Sequence, residues 1–410
     1  TGLFFFWRVF IPLVPLLFFL APGLWRNICP MAALNQTPRL FSFTRTLTLP
    51  SWMQRYGYLV AICLFLTLVA SRKVIFNQNG PALAVLILVS LTTAFVMGNF
   101  FKGKSGWCSS ICPLLPVQRI YGQTPFVTVP HAHCQPCLGC TINCYDLNPK
   151  QAYLADLYAA DRQFAAMRQA FVGFFPGFVL AFYLTPNPPA IPVWAVYALL
   201  ALAGALSMGS FFLVKASANV TSNKVPVVYG AMALNIYYWF NSLTLGSLLA
   251  TTPPGWFVWG LRSLVSGLTI IWIQRTYHKE KTYIELTLAP STIHSGAQPR
   301  KAAEAEGSRV PADVTPEVIV EPEGKRITVE KNRTLLEVIE SNGLPIESGC
   351  RMGLCGADPI CVLDGMEALS KVGSDERTTL ERLALAPNTR LACMARVRGQ
   401  VKIALTPAKP

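Results

Sequence analysis

The chain predicts a two-part fold. An all-α membrane bundle of about seven transmembrane helices, with a cytoplasmic cysteine-rich loop, precedes a small C-terminal α+β domain. Three observations carry this reading. Apolar residues make up 52% of the 410 positions and charged residues 14%, with a mean hydropathy of +0.40, against about 25% charged in an average soluble protein. Residues 1–310 hold 22 Lys/Arg and 7 Asp/Glu, a balance of +15, whereas residues 311–410 hold 13 and 14, a balance of −1. Twelve cysteines fall largely in short, regularly spaced groups. Together these exclude a disordered chain, a collagen-like chain and an ordinary cytosolic enzyme.

Apolar runs long enough to cross a bilayer lie at 3–23, 57–71, 81–101, 169–185, 191–214, 226–250 and 255–274. The first contains Arg8. The last contains Arg262, which requires a partner or a wet face inside a membrane. Trp256, Trp259, Trp272, Tyr237 and Tyr238 suit either the membrane interface or packing. The connecting segments alternate in charge. One side holds Arg26, Arg39, Arg45 and Arg55, then Lys102, Lys104, Arg119 and Lys150, then Lys215 and Lys224, then Arg275, Lys279 and Lys281; the other holds little beyond Arg72 and Lys73. Positive loops stay inside, so the N-terminus is expected outside, and the 102–165 loop and C-terminal domain in the cytoplasm. A basic balance beside apolar helices marks such loops rather than nucleic-acid binding. The expected organisation is a transmembrane domain at 1–288, a polar Ala/Pro/Ser/Glu/Gly tether at 289–316, and a soluble domain at 317–410.

Residues 134–144 place Cys134, Cys137, Cys140 and Cys144 in a C-x2-C-x2-C-x3-C run, the spacing of bacterial ferredoxins. Thiolates two residues apart on a tight loop can wrap three corners of one [4Fe–4S] cubane. A structural zinc site is the rival reading. Upstream, Trp107-Cys108-Ser109-Ser110-Ile111-Cys112-Pro113 follows the third span, and Trp25-Arg26-Asn27-Ile28-Cys29-Pro30 follows the first. Two spans therefore end in similar Cys-Pro elbows, as in an internal repeat.

These residues resemble the membrane-bound polyferredoxin-like iron–sulfur electron-transfer family. It includes quinol dehydrogenase subunits of periplasmic nitrate reduction, regulator-type proteins of nitrous-oxide reduction and copper-reducing accessory proteins of cytochrome oxidase assembly. The resemblance covers residues 1–150. The chain departs from it in holding one complete four-cysteine run where several relatives hold two, and Tyr145 rather than proline after Cys144. Cys134, Cys137 and Cys140 with Cys144 or Cys112 would make one [4Fe–4S] cluster. Seven cysteines including Cys29 and Cys108 fall one short of two clusters, with His131 or His133 as the remaining candidate ligand. Cys63 reads as a small packing residue within the second span. The four histidines, His131, His133, His278 and His294, lie outside the spans, which argues against a bis-histidine haem.

In the C-terminal part, Val318–Val320 and Arg326–Val329 read as a hairpin. Thr334 caps a helix from Leu335 to Ser341 that ends at Asn342-Gly343. Val362-Leu363 is a strand turned by Asp364-Gly365; Asp375–Leu385 is a helix and Val401–Leu405 a last strand. Between them lie Cys350, Cys355, Cys361 and Cys393. This domain resembles a plant-type [2Fe–2S] ferredoxin, which implies a β-grasp fold. In the family's C-x4-C-x2-C pattern plus a distant cysteine, Cys350, Cys355 and Cys393 match, but the third position falls on Asp358, with Cys361 three residues further on. Thiolate softness favours Cys361 as the remaining ligand; loop register favours Asp358. Glycines at 349, 353 and 356 suit a loop whose N–H groups turn toward cluster sulfurs, against a degenerate domain that holds no cluster.

No dinucleotide fingerprint, P-loop or nucleophile elbow is present. The expected function is a membrane-anchored electron-transfer subunit of an oxidoreductase complex. Electrons would pass between a cytoplasmic reductase or ferredoxin, the [2Fe–2S] domain, the [4Fe–4S] cluster and other membrane redox subunits or quinone. The alternatives are a quinone oxidoreductase with quinone near Arg262 or Arg8, and a metal-reducing maturation factor for a partner oxidase. Met31, Met97 and Met167 are too scattered in sequence to read as a copper relay.

Overall fold

The computed structural model describes residues 2–129, 153, 154, 157, 162–217, 223–284, 316–330, 332–346, 351, 353, 356–383 and 385–405. The chain forms two compact units, one helical and one containing the C-terminal domain. The 134–144 cysteines, His131, His133, most of the 289–316 tether, Cys350 and Cys355 lie outside the described residues.

The helical unit begins with α1 (Gly2–Leu20), which includes a π-turn at Phe6–Phe10. After α2 (Pro22–Ile28) and α3 (Pro30–Leu40) come α4 (Ser51–Phe76), α5 (Gly80–Phe100) and the short α6 (Leu115–Tyr121). The unit closes with α7 (Arg162–Leu184), α8 (Val193–Ser217), α9 (Lys224–Gly246) and α10 (Gly255–Tyr283). Among the described residues, six helices are long and apolar enough to cross a membrane: α1, α4, α5, α7, α8 and α10. The seventh expected span, 226–250, does form a helix, but α9 carries Asn235, Tyr237, Tyr238, Trp239 and Asn241. Its buried residues include Tyr238, Asn241 and Ser242, and it packs on both α7 and α10. A helix enclosed by other helices can keep polar groups that find partners there. The second span is longer than hydropathy implied, because the helix starts directly after Pro50 and takes in Trp52, Arg55 and Tyr56.

Arginine contacts and small-residue packing join the helices. Arg262 lies 3.9 Å from the Trp239 ring centroid, and it donates to Ser242 Oγ and the Trp239 carbonyl, each at 3.0 Å. It finds its partner within the protein. Arg8 lies over Phe4 at 5.0 Å. On the sparsely charged side, Lys73 is buried and donates to the Phe182 carbonyl at 2.7 Å, and Arg72 stacks over Trp7 at 4.2 Å. α3 touches α5 backbone to backbone at Gly98, where a Cβ would collide with the Asn35 carbonyl oxygen. Cys63 is exposed on α4, not packed inside as the sequence implied; a mid-span cysteine has no sequence signature that tells an inner from an outer face. At the ends of α7, α9 and α10, Arg168, Gln123 and Asn223 share a buried polar network that Glu280 joins through the Asn223 amide at 3.2 Å.

The C-terminal unit is a five-stranded mixed sheet with order β2-β1-β5-β3-β4: β1 (Glu317–Glu321), β2 (Lys325–Thr328), β3 (Pro359–Asp364), β4 (Thr389–Leu391) and β5 (Gln400–Ala404). β1 and β5 run parallel, and the other pairs are antiparallel. This is the arrangement the β-grasp resemblance implied. Helix α11 (Leu335–Ser341) carries the expected cap in full: Thr334 Oγ1 accepts from the Glu337 amide and Glu337 Oε2 accepts from the Thr334 amide. Its Leu335, Leu336 and Ile339 pack with Val318, Val320, Ile360, Val362 and Ile403 into one core. Helix α12 (Ser374–Arg382) is shorter than the expected 375–385. β4 was not legible in the sequence, since three residues carry no periodicity.

A bidentate ion pair fixes β4. Arg390 Nε and Nη2 donate to the two carboxylate oxygens of Glu376 at 2.8 and 3.0 Å, with both side chains almost fully buried, and Glu376 Oε1 also accepts from the Leu391 amide. Removing one partner strands a buried charge. Glu376→Ala should destabilise this domain by about 3–5 kcal/mol, read as a lower urea midpoint for proteolysis of residues 317–405 in the full chain, with the helical unit's midpoint unchanged.

Candidate functional site

Among the described residues, the sequence-predicted ligands lie in two separate places, one in each unit. In the C-terminal domain, the chain between α11 and β3 must turn repeatedly. Arg351, Gly353 and Gly356 all take left-handed φ values, +57°, +71° and +67°. Gly356 also lies against Leu383 and Thr379 of the α12 region, and Gly353 against Met394, so neither tolerates a Cβ. Arg351 is held by Glu340 at 2.6 Å. Gly353 thereby lies against Met394, the neighbour of Cys393.

Asp358 stands just before β3 and is buried. Its Oδ2 accepts from the Cys393 amide at 2.5 Å, and its carbonyl accepts from the Ala392 amide at 2.9 Å. Side chain and main chain thus both join Asp358 to the Cys393 turn. Cys361 is also buried, but in the middle of β3, opposite Thr389 of β4 and Ala404 of β5. Its Sγ accepts from Asn388 Nδ2 at 3.1 Å. Asn388, Glu376 and Arg390 frame this site; their sequence surroundings carried no signal of it, because each acts through residues 14 to 27 positions away.

The second place is the pair of Cys-Pro elbows. Cys29 (φ −63°, ψ 119°) and Cys112 (φ −57°, ψ 122°) have nearly the same backbone conformation, the extended form that a following proline imposes. Each amide donates to a tryptophan carbonyl, Trp25 at 2.8 Å and Trp107 at 3.0 Å. The internal repeat read from sequence is therefore also a repeat of local geometry. Cys29 and Cys112 pack with buried Cys108 on one small apolar cluster that also holds Ala32, Ala94 and Trp107. Met31 and Met97 join the same cluster, although their sequence separation argued against any shared role. Arg26 and Lys104 are buried nearby. Among the described residues, no group of three or more His, Cys, Asp or Glu side chains is placed to hold a single metal ion. Ligands to a cluster stand farther apart than those of one ion, since the iron–sulfide core lies between them. Three thiols from two elbows with two cations beside them fit an anionic thiolate-bound cluster in donor chemistry.

Burial pushes the Cys108 thiol up, with Arg26 and Lys104 acting in the opposite direction. Burial likewise raises Cys112, partly offset by backbone N–H groups of Leu114, to about 11. A raised value means that the neutral thiol persists to higher pH. In iron-free protein, alkylation of Cys112 should rise about tenfold per pH unit between pH 8 and 10; a rate that levels off near pH 9 would contradict this placement.

Among the described residues, two cavities of the helical unit bear on these groups. One, of about 280 Å³, is lined by Cys112, Pro113, Arg72, Tyr183 and Tyr237 together with apolar side chains such as Val179. The other, of about 310 Å³, is a cleft at Arg262 lined also by Asn235, Trp239 and Ser266.

A family model described as the 2Fe-2S iron-sulfur cluster binding domain matches residues 318–398. The 2Fe-2S ferredoxin-5 of Aquifex aeolicus (strain VF5) is 31% identical over 87 residues, which span 91% of that protein and 21% of this chain. The matched segment holds Cys350, Cys355, Asp358, Cys361 and Cys393. Through this C-terminal domain, whose sheet order and Cys393-centred turn have just been described, the chain belongs to the 2Fe-2S ferredoxin family.

Proposed function

We propose that the chain is a membrane-anchored iron–sulfur electron-transfer protein. Its C-terminal domain exchanges electrons with a cytoplasmic reductase or ferredoxin. Electrons then pass, through a [4Fe–4S] group on the 134–144 cysteines, to another membrane redox subunit. The observation that carries this reading is the coexistence, in one chain, of a ferredoxin domain and a helical unit whose two Cys-Pro elbows bring Cys29, Cys108 and Cys112 to one cluster. When bound, the clusters supply one-electron carriers; the chain's residues supply position and charge. Thiolates of Cys350, Cys355 and Cys393 would hold the [2Fe–2S] group. Cys134, Cys137 and Cys140 with Cys144 or Cys112 would hold the [4Fe–4S] group, with Arg26 and Lys104 offsetting its charge.

The membrane placement rests on six apolar helices and on the loop charges. Lys73 is consumed by the Phe182 carbonyl and Arg72 by Trp7 and Asn77, inside the protein. The count of basic residues, far larger on the opposite side, favours a cytoplasmic elbow face. A tether of polar, Pro- and Ala-rich sequence at 289–316 keeps the C-terminal domain at high effective concentration. The basic helical unit offers an electrostatic target for acidic carriers.

Anaerobically purified protein reduced with dithionite should show two paramagnetic species. Cys393→Ser should abolish the [2Fe–2S] signal and leave the other, while Cys137→Ser should do the reverse. Colourless, iron-free protein would overturn the reading.

A quinone oxidoreductase role has one observation in its favour. The 280 Å³ cavity is lined by Cys112, by the polar groups of Arg72, Tyr183 and Tyr237 and by many apolar side chains, the sparsely polar form that suits a small hydrophobic ligand. Narrowing it with Val179→Trp should lower cluster reduction by a quinol analogue at least tenfold, with dithionite reduction unchanged. Equal quinol-driven rates in both proteins would remove this role.

A further inference from the structure

We propose that the carboxylate of Asp358, and not the thiol of Cys361, completes the [2Fe–2S] site with Cys350, Cys355 and Cys393. The inference rests on the reading that this domain carries a [2Fe–2S] cluster, and it concerns which of this chain's residues hold it.

Asp358 and Cys393 are already joined. One carboxylate oxygen accepts from the Cys393 amide at 2.5 Å, and the Asp358 carbonyl accepts from Ala392 at 2.9 Å. Cys361 lies three residues further along the same chain, about 10 Å of extended strand. An odd step along a strand also changes face. Ile360 and Val362 enter the core that contains Cys393, whereas Cys361 is buried outside that group, against Asn388.

Bringing the Cys361 sulfur to the place of Asp358 would require β3 to slide by three residues. β3 is bonded on both edges, Cys361 facing Thr389 on one side and Ala404 on the other. A slide by an odd number would turn Ile360 and Val362 out of the core and break both ladders. The constraint is topological: β3 is not an edge strand that can shift alone. Asp358 needs no such movement. It occupies the third position of the C-x4-C-x2 spacing after Cys350 and Cys355, and Gly356, two residues earlier, already takes the left-handed turn that leads the loop into it. Aspartate binds iron as the deprotonated carboxylate, so ligation replaces a thiolate by an oxygen anion of the same charge and changes no other bond. Cys361 then serves β3 as a buried small side chain.

The test uses the full-length protein, purified anaerobically, with the EPR and visible spectra of the [2Fe–2S] group and its iron content as readouts. Cys361→Ser, nearly isosteric, and Cys361→Ala should both keep the wild-type g values and iron. Asp358→Cys should keep the iron but shift g values and absorption toward those of an all-thiolate cluster. Asp358→Ala should lose the [2Fe–2S] signal or at least tenfold of its lifetime in air. Loss of the signal in both Cys361 variants overturns the proposal, as does an unchanged spectrum in Asp358→Cys or an undiminished one in Asp358→Ala. Absence of any [2Fe–2S] signal in the wild-type protein would instead remove the reading on which the proposal rests.

Discussion

β3 is held on both edges, by β4 through Cys361–Thr389 and by β5 through Cys361–Ala404. That double ladder decides which side chain meets Cys393, and the rest of the C-terminal domain is arranged to keep it in register. The Arg390–Glu376 pair anchors β4 from below, Thr334 and Glu337 start α11 at a fixed point, and the α11 leucines close the core over β1 and β5. A buried ion pair of this geometry is not chiefly a source of net stability, since desolvation offsets much of the attraction. Its value is that it admits one position for β4, and hence one position for the turn that follows.

The helical unit solves a related problem with different means. Cysteine side chains from distant segments are brought to one apolar cluster. Two Cys-Pro elbows do so, because proline dictates the backbone of the cysteine before it. Cys29 and Cys112 then present themselves with equivalent geometry, and Gly98 lets α3 and α5 close until Cys108, Met31 and Met97 share the same pocket. Burial raises the Cys108 and Cys112 thiols, and Arg26 and Lys104 act against that rise at Cys108. The same elbow end opens into the cavity that reaches Arg72, Tyr183 and Tyr237.

Much of the architecture was legible because its signals are local. Apolar length marked the helices, Thr334 and Glu337 the start of α11, Asp364-Gly365 the turn after β3, and cysteine spacing the two candidate clusters. Length marked helix α9 too, but not that Asn235, Tyr237 and Asn241 find partners on neighbouring helices. The exposed position of Cys63 and the meeting of Met31 with Met97 had no local mark at all.

Sequence alone determined that most cysteines fall into two regularly spaced sets, and that an aspartate stands where the ferredoxin pattern has a cysteine. Spacing along the chain could not choose between Asp358 and Cys361, because ligand softness and loop register favoured different residues. Tertiary structure supplied the distinction. Strand alternation and pairing on both edges are properties of the assembled sheet, and they put Asp358 beside Cys393 while holding Cys361 against Asn388.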